Sequence, residues 1–264
     1  MNIAMYQMNI IPGKPEENRK KVTTWVKKTV ASYNPDAVML PEMWTTAYTL
    51  SSLPLLADDE SSDHTLAFLQ ELAVTYNLTV FGGSHAVKTK DGIVNRASII
   101  ANDGAVLSLY DKIHLVPMLA EPDYLISGKE MPYAAEYGEL KAVVGICYDL
   151  RFPELFRPLA AEGANVLIIP AEWPDARANH WRSLLQARAI ENQIYVVACN
   201  RIGSYNGTTF AGRSMVVDPN GNIITEGSTE QEETIIADID IAQTDFIRKN
   251  IPVFTSRDTT KYRF

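Results

Sequence analysis

The stretch Lys141 to Glu154, KAVVGICYDLRFPE, constrains this chain more than any other. Ala142 to Ile146 is an unbroken apolar run, the pattern of a strand covered on both faces. It delivers Cys147 to the strand's carboxyl end. Tyr148 to Phe152 turn the chain, and Pro153 with Glu154 have the form of the N1 position and acidic first turn of a helix. That helix is predicted to end near Gly163, with Pro158 kinking or shortening it. A thiol beside the positive end of a helix dipole has a lowered pKa and a larger thiolate fraction, which suits a sulfur nucleophile. An arbitrary cysteine is simply a small hydrophobe, and Cys199, within the apolar run that begins at Tyr195, fits that description.

Similar buried runs recur along the chain. Residues 2 to 8, Asp36 to Leu40, Leu78 to Gly83, Asn165 to Ile169 and Ile194 to Ala198 read as strands. Helical periodicity lies between them: from Pro15 through Tyr33, from an Asp63 N-cap through Tyr76, and from about His180 to Gln193. Strands alternating with helices give an α/β fold. Antiparallel pairs are predicted around Asn102-Asp103-Gly104 and around Asp218-Pro219-Asn220-Gly221, with a short helix over Ile241 to Arg248. Residues 51 to 62 and the segment from Pro117 to Gly128 read as loops, and Gly82-Gly83 and Gly203 as isolated turn glycines. No linker, repeat or phosphate-binding glycine loop interrupts the pattern, so the reading is one domain over 1–264.

A formal net charge of −8 argues against a nucleic-acid partner, because a phosphate backbone is drawn to basic surfaces. The N-terminus has no secretory signal pattern and no apolar run is long enough to span a bilayer, which suggests the cytoplasm and no membrane partner. The two cysteines read as free thiols, and His64, His85, His114 and His180 show no metal-ligand spacing, so neither metal nor cofactor is expected.

Glu42, Lys112 and Cys147 each follow a predicted strand, and open α/β sheets bind ligands at the carboxyl ends of their strands. A carboxylate, an ammonium and a thiol in one place form a base, a cation and a nucleophile, the set needed to hydrolyse an amide.

The segments LPEMW at 40–44, YDKIHL at 110–115 and GICYDLRFPE at 145–154 resemble the nitrilase superfamily of carbon–nitrogen hydrolases, over nearly the whole chain. The resemblance implies a four-layer α-β-β-α sandwich, catalytic Glu42, Lys112 and Cys147, and a homodimer. It also implies a second active-site carboxylate at Glu121. The stretch 170–203 looks like the bacterial ω-amidase branch, which takes the terminal amide of 2-oxoglutaramate and similar dicarboxylate monoamides. The sequence departs from many relatives at Glu172, where they carry Asn, and a carboxylate there is expected to repel an anionic substrate.

The mechanism that follows has Glu42 as general base, and the Lys112 ammonium with the backbone N–H of Tyr148 holding the oxyanion. Arg151 is a candidate for the substrate's distal carboxylate, or for a helix-start ion pair with Glu154, and Trp173 a candidate wall of the acyl pocket. The tail from about 250 to 264 suits packing across the dimer interface. Rival readings are an amidase or N-carbamoyl hydrolase on another small substrate, a Cys–His hydrolase using His114 or His180, and a non-catalytic assembly module.

Overall fold

The structure, a computed structural model, describes residues 1–262. The last two positions of the predicted interface tail lie outside the described residues. In chain order, β1 (Asn2–Gln7) leads through α1 (Pro15–Tyr33) to β2 (Ala37–Met39), and α2 (Leu53–Leu56) and β3 (Asp58–Asp59) lead to α3 (His64–Tyr76). Next come β4 (Thr79–Lys88), β5 (Ile93–Ile100), β6 (Val106–Asp111), β7 (Ala135–Tyr137) and β8 (Leu140–Val144). Then α4 (Arg157–Ala161), β9 (Val166–Ala171), α5 (Ala178–Asn192) and β10 (Tyr195–Asn200) follow. The short strands β11 (Ser204–Tyr205) and β12 (Thr208–Thr209) precede β13 (Met215–Val217), β14 (Ile223–Glu226), β15 (Glu233–Asp238) and α6 (Ala242–Asn250).

One sheet runs β15-β1-β2-β4-β5-β6, with β3 paired to β4, and the other runs β14-β13-β10-β9-β8-β7. Each has a parallel centre, β1-β2-β4 and β8-β9-β10, and antiparallel edges. Side-chain alternation along β1 sorts the layers. Ile3 and Met5 pack with Val144, Ile168 and Val197 of the facing sheet, while Ala4 and Tyr6 pack with Val22 and Trp25 of α1 and Leu69 of α3. Trp181, Leu185 and Ala189 of α5 pack on the second sheet. The layers are therefore α-β-β-α, the four-layer sandwich that the sequence resemblance implies.

Several local expectations change. The helix expected from Pro153 is broken into 3-10 turns at Cys147–Arg151 and Pro153–Leu155, and α4 begins only at Arg157. Pro158 sits in its first turn, where a missing N–H costs nothing, so it starts this helix rather than kinking it. Gly82 and Gly83 lie inside a longer β4, at an irregularity between Phe81 and Ser84, and are not turn glycines. The segment 51–62 contains α2 and β3, and the segment after Pro117 contains two 3-10 turns. The helix from Pro15 ends at Tyr33 as expected, with that side chain turned to solvent.

Candidate active site

Glu42 is presented by a turn that leans on the β4 bulge. Ser84 donates its N–H to Pro41 O (3.2 Å), and its hydroxyl and carbonyl take the N–H groups of Met43 and Trp44. Gly83 has φ +63, and a Cβ there would stand 2.1 Å from Pro41 O, so only glycine allows this approach. Glu42 is fully buried. Its Oε1 accepts from Lys112 Nζ (2.8 Å), Tyr48 Oη (2.9 Å) and Asn95 Nδ2 (2.9 Å), and its Oε2 accepts the Glu172 N–H (2.8 Å).

Lys112 leaves the end of β6 and meets a second carboxylate. Its Nζ is 2.8 Å from Glu121 Oε1, and Glu121 Oε2 accepts the Val116 N–H at 2.6 Å. Paired 3-10 turns, joined at Ala120 with φ 58, fold the segment so that Glu121 is buried rather than solvated. Burial works against the Lys112 ammonium, but Glu121 and Glu42 hold its pKa well above the usual lysine value. Burial raises the Glu121 carboxyl, with Lys112 opposing and Glu42 adding to the rise.

Cys147 opens the 3-10 turn after β8 in the left-handed region, at φ 46, a conformation that costs an L-residue about 1–3 kcal/mol. Asp149 braces it from inside the turn. Its Oδ2 accepts from the Ile146 N–H (2.9 Å) and Tyr110 Oη (2.8 Å), and its Oδ1 accepts the His114 N–H (3.1 Å) and lies 2.7 Å from His114 Nδ1. Burial and then the charge of Glu42 push the Cys147 thiol well above its usual pKa, and Lys112 acts in the opposite sense. This corrects the expected lowering: the turn opens no α-helix, and desolvation with the charges of Glu42 and Glu121 outweighs that of Lys112. Cys199 is buried and donates to Tyr6 O, as its core reading requires.

A cavity of about 30 Å³ is lined by Cys147, Tyr148, Glu172, Trp173, Arg151 and Arg177, among others. The Arg151 guanidinium lies over the Trp173 ring, 4.7 Å from its centroid, and approaches His180 Nδ1 at 3.4 Å rather than pairing with Glu154. Glu172 is fully buried, and its Oε2 meets Arg201 Nη1 at 3.0 Å. Burial pushes the Glu172 carboxyl up to about 8, with Arg201 opposing the rise. The expected repulsion of an anionic substrate is thus offset by a buried guanidinium. A larger hollow of about 420 Å³, bordered by Arg96, Asp111 and Lys129, has no thiol in its lining. Asp58, Asp63 and His85 place ligand atoms within 4.8 Å of one another, but these atoms are occupied by Thr65, the Leu66 N–H and each other.

The sequence profile described as carbon-nitrogen hydrolase matches residues 2–249. The chain belongs to the carbon-nitrogen hydrolase family. This carbon-nitrogen hydrolase is 46% identical to a protein of Staphylococcus lugdunensis named hydrolase in agr operon, over 84% of this chain and 94% of the relative. It is 41% identical to the 2-oxoglutaramate amidase of Bacillus subtilis, over 96% of this chain and 95% of the relative. Among solved structures it resembles Saccharomyces cerevisiae Nit3, a member of branch 10 of the nitrilase superfamily, with a TM-score of 0.88 and 26% identity over 99% of this chain and 97% of that one. The protein is a hydrolase of carbon–nitrogen bonds.

The structure of this carbon-nitrogen hydrolase gathers Glu42, Lys112 and Glu121 into one hydrogen-bonded group, with Cys147, Tyr148, Arg151 and Trp173 on the adjoining cavity. Sequence reading passed over Tyr48, Asn95, Asp149 and Arg201. Arg201 was within reach, since it follows the fully buried strand β10 directly. Asn95 is a polar residue in the otherwise apolar opening of β5, and Tyr48 stands in a loop with no period to mark it.

Proposed function

We propose that the protein is a cysteine-dependent amidase that hydrolyses the terminal carboxamide of small dicarboxylate monoamides such as 2-oxoglutaramate. The observation that carries this reading is the ammonium of Lys112 shared at 2.8 Å between Glu42 and Glu121, with Cys147 under the influence of all three. Glu42 takes the thiol proton as the sulfur bonds to the amide carbon. Lysine has three donors; two are spent on carboxylates, and the third, which reaches Tyr48 Oη only at 3.4 Å, turns to the oxyanion beside the Tyr148 N–H. When the C–N bond breaks, Glu42 returns the proton to the nitrogen, which leaves as ammonia. Glu42 then activates water against the thioester and the carboxylate product departs. Glu121 holds Lys112 in place throughout.

Arg151 and Arg177 on the cavity wall suit an anionic distal group, and Trp173 closes the acyl side. The same reading makes residues 1–264 one catalytic domain that works in the cytoplasm as a homodimer. Exposed Phe246 and Ile251, on and just beyond α6, are apolar surface of the kind a partner copy covers. The test is ammonia release from 2-oxoglutaramate, succinamate, asparagine, N-carbamoyl amino acids and nitriles. Anionic monoamides should lead, Cys147→Ala should be inactive, and Arg151→Met should raise KM for anionic amides about tenfold or more while sparing neutral ones. A preference for neutral amides removes the substrate assignment, and turnover by Cys147→Ala removes the mechanism.

A further inference from the structure

The carboxylate oxygens around the cavity are not equally occupied. Both oxygens of Glu42 and both of Glu121 accept hydrogen bonds, and Glu172 Oε2 takes Arg201. Glu172 Oε1 has no partner among the described residues, although the side chain is fully buried in the wall of the Cys147 cavity. A buried acceptor without a donor is destabilising, and native sites keep one where a ligand supplies the missing group.

Resting on the amidase reading, we propose that Glu172 is a specificity-determining residue whose Oε1 accepts a hydrogen bond from the N–H of the substrate carboxamide, so that the site selects amides over esters of the same acid. The backbone N–H of Glu172 is bonded to Glu42 Oε2, so its side chain starts beside the group that must hand a proton to the leaving nitrogen. The nitrogen of a carboxamide carries two N–H groups and fits an acceptor there. The alkoxy oxygen of an ester turns lone pairs toward Oε1 instead, and a polar site rejects the analogue that lacks the donor. Arg201 fixes the carboxylate in this pose, being itself held by the carbonyls of Ile202 and Ile10. During acylation the S–C bond forms, the C–N bond breaks and the proton travels from sulfur through Glu42 to nitrogen. Glu172 transfers none.

Glu172→Gln tests this directly. The Arg201 guanidinium requires an oxygen toward it, so the glutamine turns its NH2 into the cavity and the acceptor becomes a donor. The readout is kcat/KM, which reports acylation, for succinamate and for monomethyl succinate, taken above pH 8, where the Glu172 carboxyl is ionised and Oε1 is an acceptor only. The amide value should fall about tenfold or more and the ester value should hold or rise. An equal loss on both substrates, or an unchanged ratio, overturns the proposal, since a structural ion pair or a buried water on Oε1 predicts those results. If the glutamine variant does not fold, Glu172→Asp keeps the charge facing Arg201 but withdraws Oε1 by one methylene. The amide-to-ester ratio should again fall, and a constant ratio overturns the proposal. A wild type without ammonia release from any amide sinks the amidase reading as well, whereas an active wild type with an unaltered ratio in the variants sinks this inference alone.

Discussion

Lys112 Nζ lies 2.8 Å from Glu42 Oε1, and neither side chain is exposed to solvent. Replacing the lysine leaves Glu42 and Glu121 facing each other with no cation between them. Breaking a buried ion pair by removing one partner costs about 3–5 kcal/mol, and losing one oxyanion donor costs about a hundredfold to a thousandfold in rate. Lys112→Met should therefore shift the denaturant midpoint downward and reduce kcat/KM by at least about a hundredfold. Near-native kinetics in a folded Lys112→Met would remove the lysine from the mechanism.

Glu42 should separate thiol ionisation from turnover. Burial and then the Glu42 charge raise the Cys147 thiol, with Lys112 opposing. Glu42→Gln removes the like charge and keeps the shape, so the thiol pKa falls and more thiolate is present at a given pH. Ultraviolet thiolate absorbance and alkylation rate at Cys147 should both increase. Amide hydrolysis should nevertheless vanish, because nothing carries the proton to nitrogen. Slower alkylation in Glu42→Gln would contradict the electrostatics.

Asp149 supports the strained turn of the nucleophile. Asp149→Ala strands the Ile146 N–H, the His114 N–H and the Tyr110 hydroxyl, each buried donor costing about 1–3 kcal/mol when left without an acceptor. The thermal midpoint should fall sharply. At temperatures where the variant remains folded, kcat should drop more than KM rises, since Cys147 loses its aim and Arg151 and Arg177 do not. Asp149→Asn, which keeps one acceptor oxygen, should lie between. An unchanged kcat in the alanine variant would disprove the bracing role.

Glu172 makes stability depend on pH. Its folded carboxyl is raised to about 8 by burial, with Arg201, Glu42 and Lys112 the charges that face it. Between the ordinary carboxylate range and that value the folded chain holds a proton that the unfolded chain releases, so stability falls as pH rises. This contribution is complete below the ordinary carboxylate pKa and lost as pH passes about 8. Thermal melts across this window should decline more steeply in the wild type than in Glu172→Gln. Parallel slopes would show that Glu172 does not titrate there.

The layered α/β plan was legible because β1, β8, β9 and β10 are covered on both sides and so appear as continuous apolar runs. Glu42 and Cys147 were legible because each stands just past such a run, and Lys112 because it follows β6, a half-exposed strand at the sheet edge. Glu172 and Arg201 obey the same rule, each standing directly after a fully buried strand. The turn after Cys147 was misjudged because Pro153 and Glu154 mark a helix start equally well for a 3-10 turn. The sign of the thiol shift is set by burial and the Glu42 charge, which no local pattern announces. Tyr48 and Asn95 owe their positions to long-range packing, which leaves no period in the local sequence.

The two halves of the site hang from different sheets. Glu42 and Lys112 leave β2 and β6, whereas Cys147 and Glu172 leave β8 and β9. The interval between acid and sulfur is consequently measured by the thickness of the filling in the middle, where Ile3, Met5 and Phe81 meet Val144, Ile168 and Val197. Oily residues remote from any chemistry thus act as the spacer that calibrates it, and a shaved methyl group there would blunt the reaction long before the chain came apart.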